Sequence, residues 1–396
     1  MKRKISLLLI MILVLSTLTN VVAAEDTAQI GNISAENKIL ELSMDEAVKI
    51  ATENSREMWK IDDGIKQMQD ARRSGRTAKE QAEELMSMSL SEIAAIRSMT
   101  GMDPLNNQVE VLLAKNGYYI KFAETQMTQL EKSRDVLIRG IEIGTKSSYY
   151  NVLVAEKAIE INQAKLNKAN EQLRVVNLKF NNGSATKAEV LNAEMAIQQA
   201  KTDLDSALDD LNISKLDLLN ALELPFDTEF VLTDTELSYV PANEINLDEK
   251  IEKAKQDRIE ILTAENDLEV QKIETHAYTA YYTSNLRENK WAKEKLKDAE
   301  LNVPQAYKDV ELDVRKTYLN LIKAERSLAN MDKTVELAKE AARINKLLYD
   351  NGMATSLEVL DADTKLAEVE IGRYQMLAAY NINKLMFDYS DIGTFK

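Results

Sequence analysis

The sequence predicts an all-α chain built from two tandem repeats of long antiparallel coiled-coil helical hairpins. Three observations predict it: a scarcity of turn residues, a hydrophobic period of 3.5 residues, and self-similarity at a fixed offset. Only 11 Gly and 4 Pro occur in 396 residues, while 45% of positions are hydrophobic and 29% charged. A sandwich or barrel of this length needs many Gly- and Pro-bearing connections, and a disordered chain would be less apolar, so long helices remain.

The same composition removes most chemistry. With no Cys and a single His, His276, there is no material for disulfide frameworks, thiolate metal sites, Cys nucleophiles or Ser-His-Asp triads. The chain is therefore read as a non-enzyme with no catalytic residue, cofactor or metal. His276, among Tyr278, Tyr281 and Tyr282, reads as structural. The Met residues, including Met86, Met88, Met99 and Met102, read as seam or core residues rather than a soft-metal path. A net charge of −15 repels phosphate backbones, so nucleic acid is not an expected partner.

In chain order, Lys2-Arg3-Lys4, an apolar run from Ile5 to Leu18 and the small residues Val22-Ala23-Ala24 read as a signal peptide over 1–24. Residues 25–38 are polar and aperiodic, a flexible lead-in. A first repeat spans 39–224 and a second 245–390, with a C-terminal tail at 391–396. Between the repeats, the connector 225–244 carries Pro225 and Pro241 and short β-leaning runs. The protein is thus expected to be exported: to the outer membrane or periplasm of a two-membrane cell, otherwise to the cell surface.

The repeats are visible without gaps. Phe180 to Ala193 aligns on Tyr349 to Ala362 with eight of fourteen positions identical, and the same offset of 169 carries Tyr149 to Glu156 onto Tyr318 to Glu325. Near the front of each half, Asp45-Glu46 matches Asp248-Glu249 at an offset of 203, so the first half holds 34 extra residues between about 60 and 145. Within the halves, Val152, Ala155, Ile159, Asn162, Leu166, Ala169, Leu173, Val176 and Phe180 alternate spacings of three and four. Val190 to Leu218 and Leu321 to Ala342 do the same. An unbroken 3.5-residue period specifies a left-handed supercoil, and a helix from near 145 to 182 would be about 55 Å long.

The turns carry the most information. Asn182-Gly183 and Asn351-Gly352 read as helix C-caps, because glycine enters the left-handed region at little cost. Thr186 with Glu189, and Thr355 with Glu358, have capping-box spacing. A Gly stop and a Thr start three residues apart force an antiparallel hairpin. Two near-copies read either as good turns or as exposed tips offered to a partner.

Leu42 to Asn54, Val314 to Glu325 and the two tip motifs together resemble the two repeats of the TolC-like outer membrane efflux protein family, over roughly 39–390. That resemblance implies a homotrimer whose twelve long helices form a periplasmic tube below a twelve-stranded β-barrel, with the tips meeting a periplasmic adaptor protein and, through it, an inner-membrane transporter. It implies adaptor docking at Gly183, Ser184, Ala185 and Thr186 and at Gly352, Met353, Ala354 and Thr355. It places Glu358 and Asp361 among pore-constriction acids, Tyr349 in a gate network and Glu189 as the first-repeat acid. Ala354 stands where a gate arginine is expected, so an Arg-bridged closed state lacks its arginine. For Glu189 and Glu358 the capping box remains an equal explanation.

Where the resemblance implies strands, the sequence offers few. Val109 to Lys115 and Tyr118 to Phe122 could flank an Asn116-Gly117 turn, but a spanning strand needs about 9–11 residues. Tyr118, Phe122, Leu130, Leu137 and Ile141 also have a loosely helical spacing. Thr275 to Thr283 is the only β-leaning run of the second half. Little or no β-barrel is expected, with helical extensions or a small cap near 75–125 and 275–300. Two functions follow: an efflux or export conduit, or a secreted barrel-less coiled coil with a structural or interaction role on the cell surface.

Overall fold

The computed structural model describes residues 39–101, 103–242 and 246–395. The expected signal peptide and lead-in, together with Met102 and residues 243 and 244 of the connector, lie outside the described residues.

A short strand β1 (Leu40–Leu42) opens the chain, followed by α1 (Met44–Asn54), α2 (Arg56–Ser87), α3 (Leu90–Thr100), α4 (Gln108–Lys115), α5 (Tyr118–Asn181) and α6 (Lys187–Ala221). Strand β2 (Phe230–Leu232) lies in the connector. The second half holds α7 (Leu247–Asp257), α8 (Ile259–Tyr281), α9 (Arg287–Asp350) and α10 (Ser356–Asp388). Helices α5 and α9 are both 64 residues long and start and stop at the same offset, so the repeat seen in sequence is a repeat in space. At 1.5 Å per residue each runs about 96 Å, well beyond the length read from the heptads alone. Nine of the 34 extra residues of the first half arise because α2 has 32 residues against 23 in α8; the segment carrying α3 and α4 supplies the rest.

Each 64-residue helix is a spine. Along its C-terminal half α5 packs on α6, and along its N-terminal half on α2; α9 does the same with α10 and with α8. The heptad residues form the seams: Val152, Ala155, Ala169 and Val176 of α5 are buried against a stripe that includes Val190, Ala193, Ile197, Ala200 and Ala207 of α6. Because α5 also packs on α10, the four long helices lie side by side in the order α6, α5, α10, α9.

Of the two readings of 109–122, a short-armed hairpin or helix, the structure takes the helix, in line with the expectation of little or no barrel. Val109 to Lys115 is helix α4, Gly117 turns the chain at φ 77°, and Tyr118 begins α5. Thr275 to Tyr281 is likewise the end of α8. Among the described residues the only strands are β1 and β2, three residues each and paired in parallel with Leu40 opposite Phe230. No helix among them is long and apolar enough to cross a membrane. Gly75 explains how α2 seats on the start of α5: a Cβ there would stand 3.0 Å from the Ile120 amide nitrogen.

Mid-length, the structure is tied across its width. Tyr149 is fully buried; its hydroxyl donates to the Leu42 carbonyl (3.0 Å) and accepts from the Asp234 amide (3.2 Å), and burial pushes its pKa up to about 12. The C-terminal residues form a clasp. Arg258, 2% exposed, donates to Glu260 (3.0 Å), Asp313 (2.9 Å), the Ser390 carbonyl (2.8 Å) and Thr394 (2.5 Å). Asp391, also 2% exposed, bonds Lys250 (2.7 Å) and Lys253 (2.6 Å). On the first-repeat side the Tyr389 hydroxyl donates to Glu142 (2.9 Å), and the Arg139 guanidinium lies 4.7 Å from the Tyr389 ring centroid.

Candidate functional site

The two hairpin tips have the same construction. At the end of α5, Gly183 (φ 72°) donates its amide to the Phe180 carbonyl (3.0 Å), and the Ser184 amide reaches the Lys179 carbonyl (2.7 Å). At the end of α9, Gly352 (φ 72°) donates to Tyr349 (3.0 Å) and Met353 to Leu348 (2.8 Å). This pair of bonds is a Schellman motif, which satisfies carbonyls that the helix end would otherwise leave open. Glycine is required at that one position because an L side chain is strained there.

Three residues later the next helix starts with a closed capping box. The Thr186 hydroxyl accepts from the Glu189 amide (3.3 Å) while the Thr186 amide donates to the Glu189 carboxylate (2.6 Å). Thr355 and Glu358 repeat this at 3.3 and 2.7 Å. The bond from the Thr355 amide holds the Glu358 carboxyl below the usual range. Both glutamates are thus occupied as caps on their own helices.

Of the remaining tip residues, Ser184 and Met353 are exposed, Met353 at 70%. Ala185 is half-buried against Val176, Val190 and Ala193, and Ala354 is half-buried in the corresponding place. Each tip therefore seats an alanine inward and presents one side chain outward. Tyr349 is buried, and the Lys179 ammonium sits 3.7 Å from its ring centroid, pinning one tip to the other by a cation–π contact. Asp361 stands apart: it is exposed and has no hydrogen-bond or ion-pair partner among the described residues.

Sequence reasoning missed the contacts that join the hairpins. Lys168 pairs with Asp363 (2.8 Å) across α5 and α10, joining the two hairpins, while Lys339 pairs with Glu370 (3.2 Å) between the arms α9 and α10 of the second. The partners of the first pair lie 195 residues apart, so no local spacing announces them. His276 lies with its Nδ1 3.2 Å from Asn116 Nδ2, tying α8 to the turn before α5. Two methionines need correction: Met86 and Met99 are exposed at 45% and 59%, because the chain around α3 has no second layer to bury them. Met88 does pack, against the α2–α4 cluster.

No protein-family model and no curated protein sequence matches the chain. Its fold is nonetheless that of TolC-like outer membrane efflux channels. It matches CusC, known from crystal structures that follow its folding and transmembrane channel formation, with a TM-score of 0.65 at 12% identity, over 94% of this chain and 99% of that one. The outer membrane protein VceC of Vibrio cholerae gives a TM-score of 0.65 at 12% identity, over 89% and 97% of the two chains. The open state of the MtrE outer membrane channel of Neisseria gonorrhoeae gives 0.62 at 15% identity, over 95% and 96%. The likeness thus extends over nearly the whole of each chain and is one of fold.

Proposed function

We propose that this chain is the protomer of a trimeric helical conduit of the cell envelope, an efflux or export component whose tips dock a periplasmic adaptor and, through it, an inner-membrane transporter. The observation that carries the proposal is the pair of equal 64-residue spines ending in two near-identical capped tips at the same end. Support also comes from the near full-length fold match to outer membrane channels.

The flanks of the four-helix wall fit closure by copies of the same chain. Helix α6 leaves Leu191, Met195 and Leu208 exposed, and α9 leaves Leu312, Leu319 and Leu337 exposed, on the two outermost helices. Apolar stripes on both edges of a wall are what a ring of identical protomers would bury. In such a ring Asp361 supplies a free carboxylate from each copy near the tips, and Glu358 adds to it only if its cap opens.

Light scattering with cross-linking of the purified protein tests the ring. A mass three times that of the protomer is expected; a monomer at micromolar concentration would remove the conduit. The helices that stand where barrel strands were implied favour the second reading, a barrel-less coiled coil on the cell surface. That reading expects no conductance from a reconstituted trimer.

A further inference from the structure

The end of the molecule opposite the tips has a surface chemistry unlike the rest. Helix α8 stops at Tyr281, residues 282–286 turn the chain, and α9 starts at Arg287, about 96 Å along the spine from the second tip. From 287 to 297 the sequence carries Arg287, Lys290, Lys293, Lys295 and Lys297 against Glu288 and Glu294, with Asp298 and Glu300 following further down the helix, in a chain whose net charge is −15. All five cations are exposed; Arg287, Lys290 and Lys293 have no acidic partner among the described residues, and Lys297 shares an exposed ion pair with Glu300 (3.4 Å). Their spacing, with Lys297, puts four of them on one face of the helix.

Interleaved with the charge is apolar surface. Tyr281, Leu286 and Trp291 are 45%, 42% and 38% exposed. Trp291 is held in place by Tyr278, 5.5 Å between ring centroids, and by the Lys295 ammonium 4.3 Å from its ring. The first repeat contributes at the same end, because α4 packs on both α8 and α2. There α3 buries none of its residues and leaves Leu90 85% exposed, beside Met86 and Met99.

We propose that this turn end is a membrane-docking surface that takes an anionic lipid headgroup layer, with Tyr281, Leu286 and Trp291 entering the interface and Arg287, Lys290, Lys293 and Lys297 meeting the headgroups. Amphipathic rings settle at the headgroup level, and each cation near an anionic surface adds to the attraction. A soluble polyanion would be met by the cations alone and leaves the exposed leucines and tryptophan unused. The inference is independent of the conduit reading, which is tested by assembly and conductance.

The test is flotation of the chain without the expected signal-peptide residues 1–24 with phosphatidylcholine vesicles with and without phosphatidylglycerol, at low and high salt, with a Trp59→Phe background so that Trp291 alone reports. Flotation with the phosphatidylglycerol vesicles, a blue shift of Trp291 emission and loss of binding in high salt are expected. Lys290→Gln, Lys293→Gln and Lys297→Gln together should weaken binding by roughly 100-fold. All three side chains are exposed, so the helical circular dichroism signal should be unchanged. Absence of flotation with phosphatidylglycerol vesicles, or undiminished binding by the triple variant, would overturn the proposal. Equal affinity for dextran sulfate without a Trp291 shift would overturn it in favour of a wall-type polyanion.

Discussion

The tips and the clasp hold the same chain by opposite means. At the tips every cap bond spans three to five residues, from Thr186 to Glu189 and from Ser184 back to Lys179. At the clasp, Arg258 reaches Ser390 across 132 residues and Tyr389 reaches Glu142 across 247. Local bonds form as soon as their helices do, whereas the clasp forms only when both repeats are already in place. Damage at a tip should therefore stay at the tip, and damage at the clasp should be felt by the whole molecule.

The largest effect is expected from Arg258→Ala. It strands the Ser390 carbonyl and leaves the Asp313 carboxylate with only the Thr394 hydroxyl, and removing one partner of a buried pair costs about 3 kcal/mol. Urea denaturation followed by circular dichroism should show the midpoint fall, while hydrogen exchange at Ser184 and Met353 stays as in the parent. Equal loss of protection at the tips would show that the two regions are one cooperative unit.

Acid should act on the same region. Burial works against the charged form of Glu142 and Asp391, but hydrogen bonds from Lys146, Tyr389 and Arg139, and from Lys250 and Lys253, outweigh it and hold both carboxyls below their ordinary values. Groups depressed in the folded state add stability above their unfolded pKa and lose it as pH falls through the folded one. The clasp should loosen below about pH 4, read as protease cleavage near Tyr389 before helicity declines. Cleavage unchanged between neutral and acid pH would show that these bonds do not hold the tail.

Smaller and confined changes are expected at the tips. Thr186→Ala and Thr355→Ala should each cost about 1 kcal/mol through the lost cap, with faster exchange limited to the first turn of α6 or α10. The smallest stability effect should come from bulky substitutions at Ser184 and Met353, within about 0.5 kcal/mol. If the tips dock an adaptor, those same changes should impair export at normal protein level. Normal export with both changed would leave the tips as turns only.

The contrast also explains what could be read in advance. The tips were legible because a helix stop and a helix start are written in adjacent residues, twice, and because α6 and α10 begin directly behind them. The seams were legible because Val152 to Val176 keep one period. Between 118 and 144, α5 fully buries only Ala123, Thr125 and Ile143, of which two are small or polar and the third stands alone, so no stripe is drawn, and it approaches α2 at Gly75, which has no side chain to announce it. The expected length of α5 fell short for that reason. Residues 391–396 read as a tail because Asp391, Gly393 and Thr394 are loop-type residues, and Lys250, the partner of Asp391, and Arg258, a partner of Thr394, lie more than 130 positions away.

The equal spines make the protein a ruler with coarse divisions. A seam that repeats every seven residues keeps its knobs in their holes only if length changes by whole heptads, each about 10 Å. Since α5 lies against α6 and α10, and α10 against α9, a heptad added to one long helix must be matched in the other three. Four coordinated insertions, one on either side of each tip, are the smallest step by which this rod can grow. The distance it bridges is for that reason protected from drift: a single insertion in any one helix would shear its seam instead of lengthening the wall.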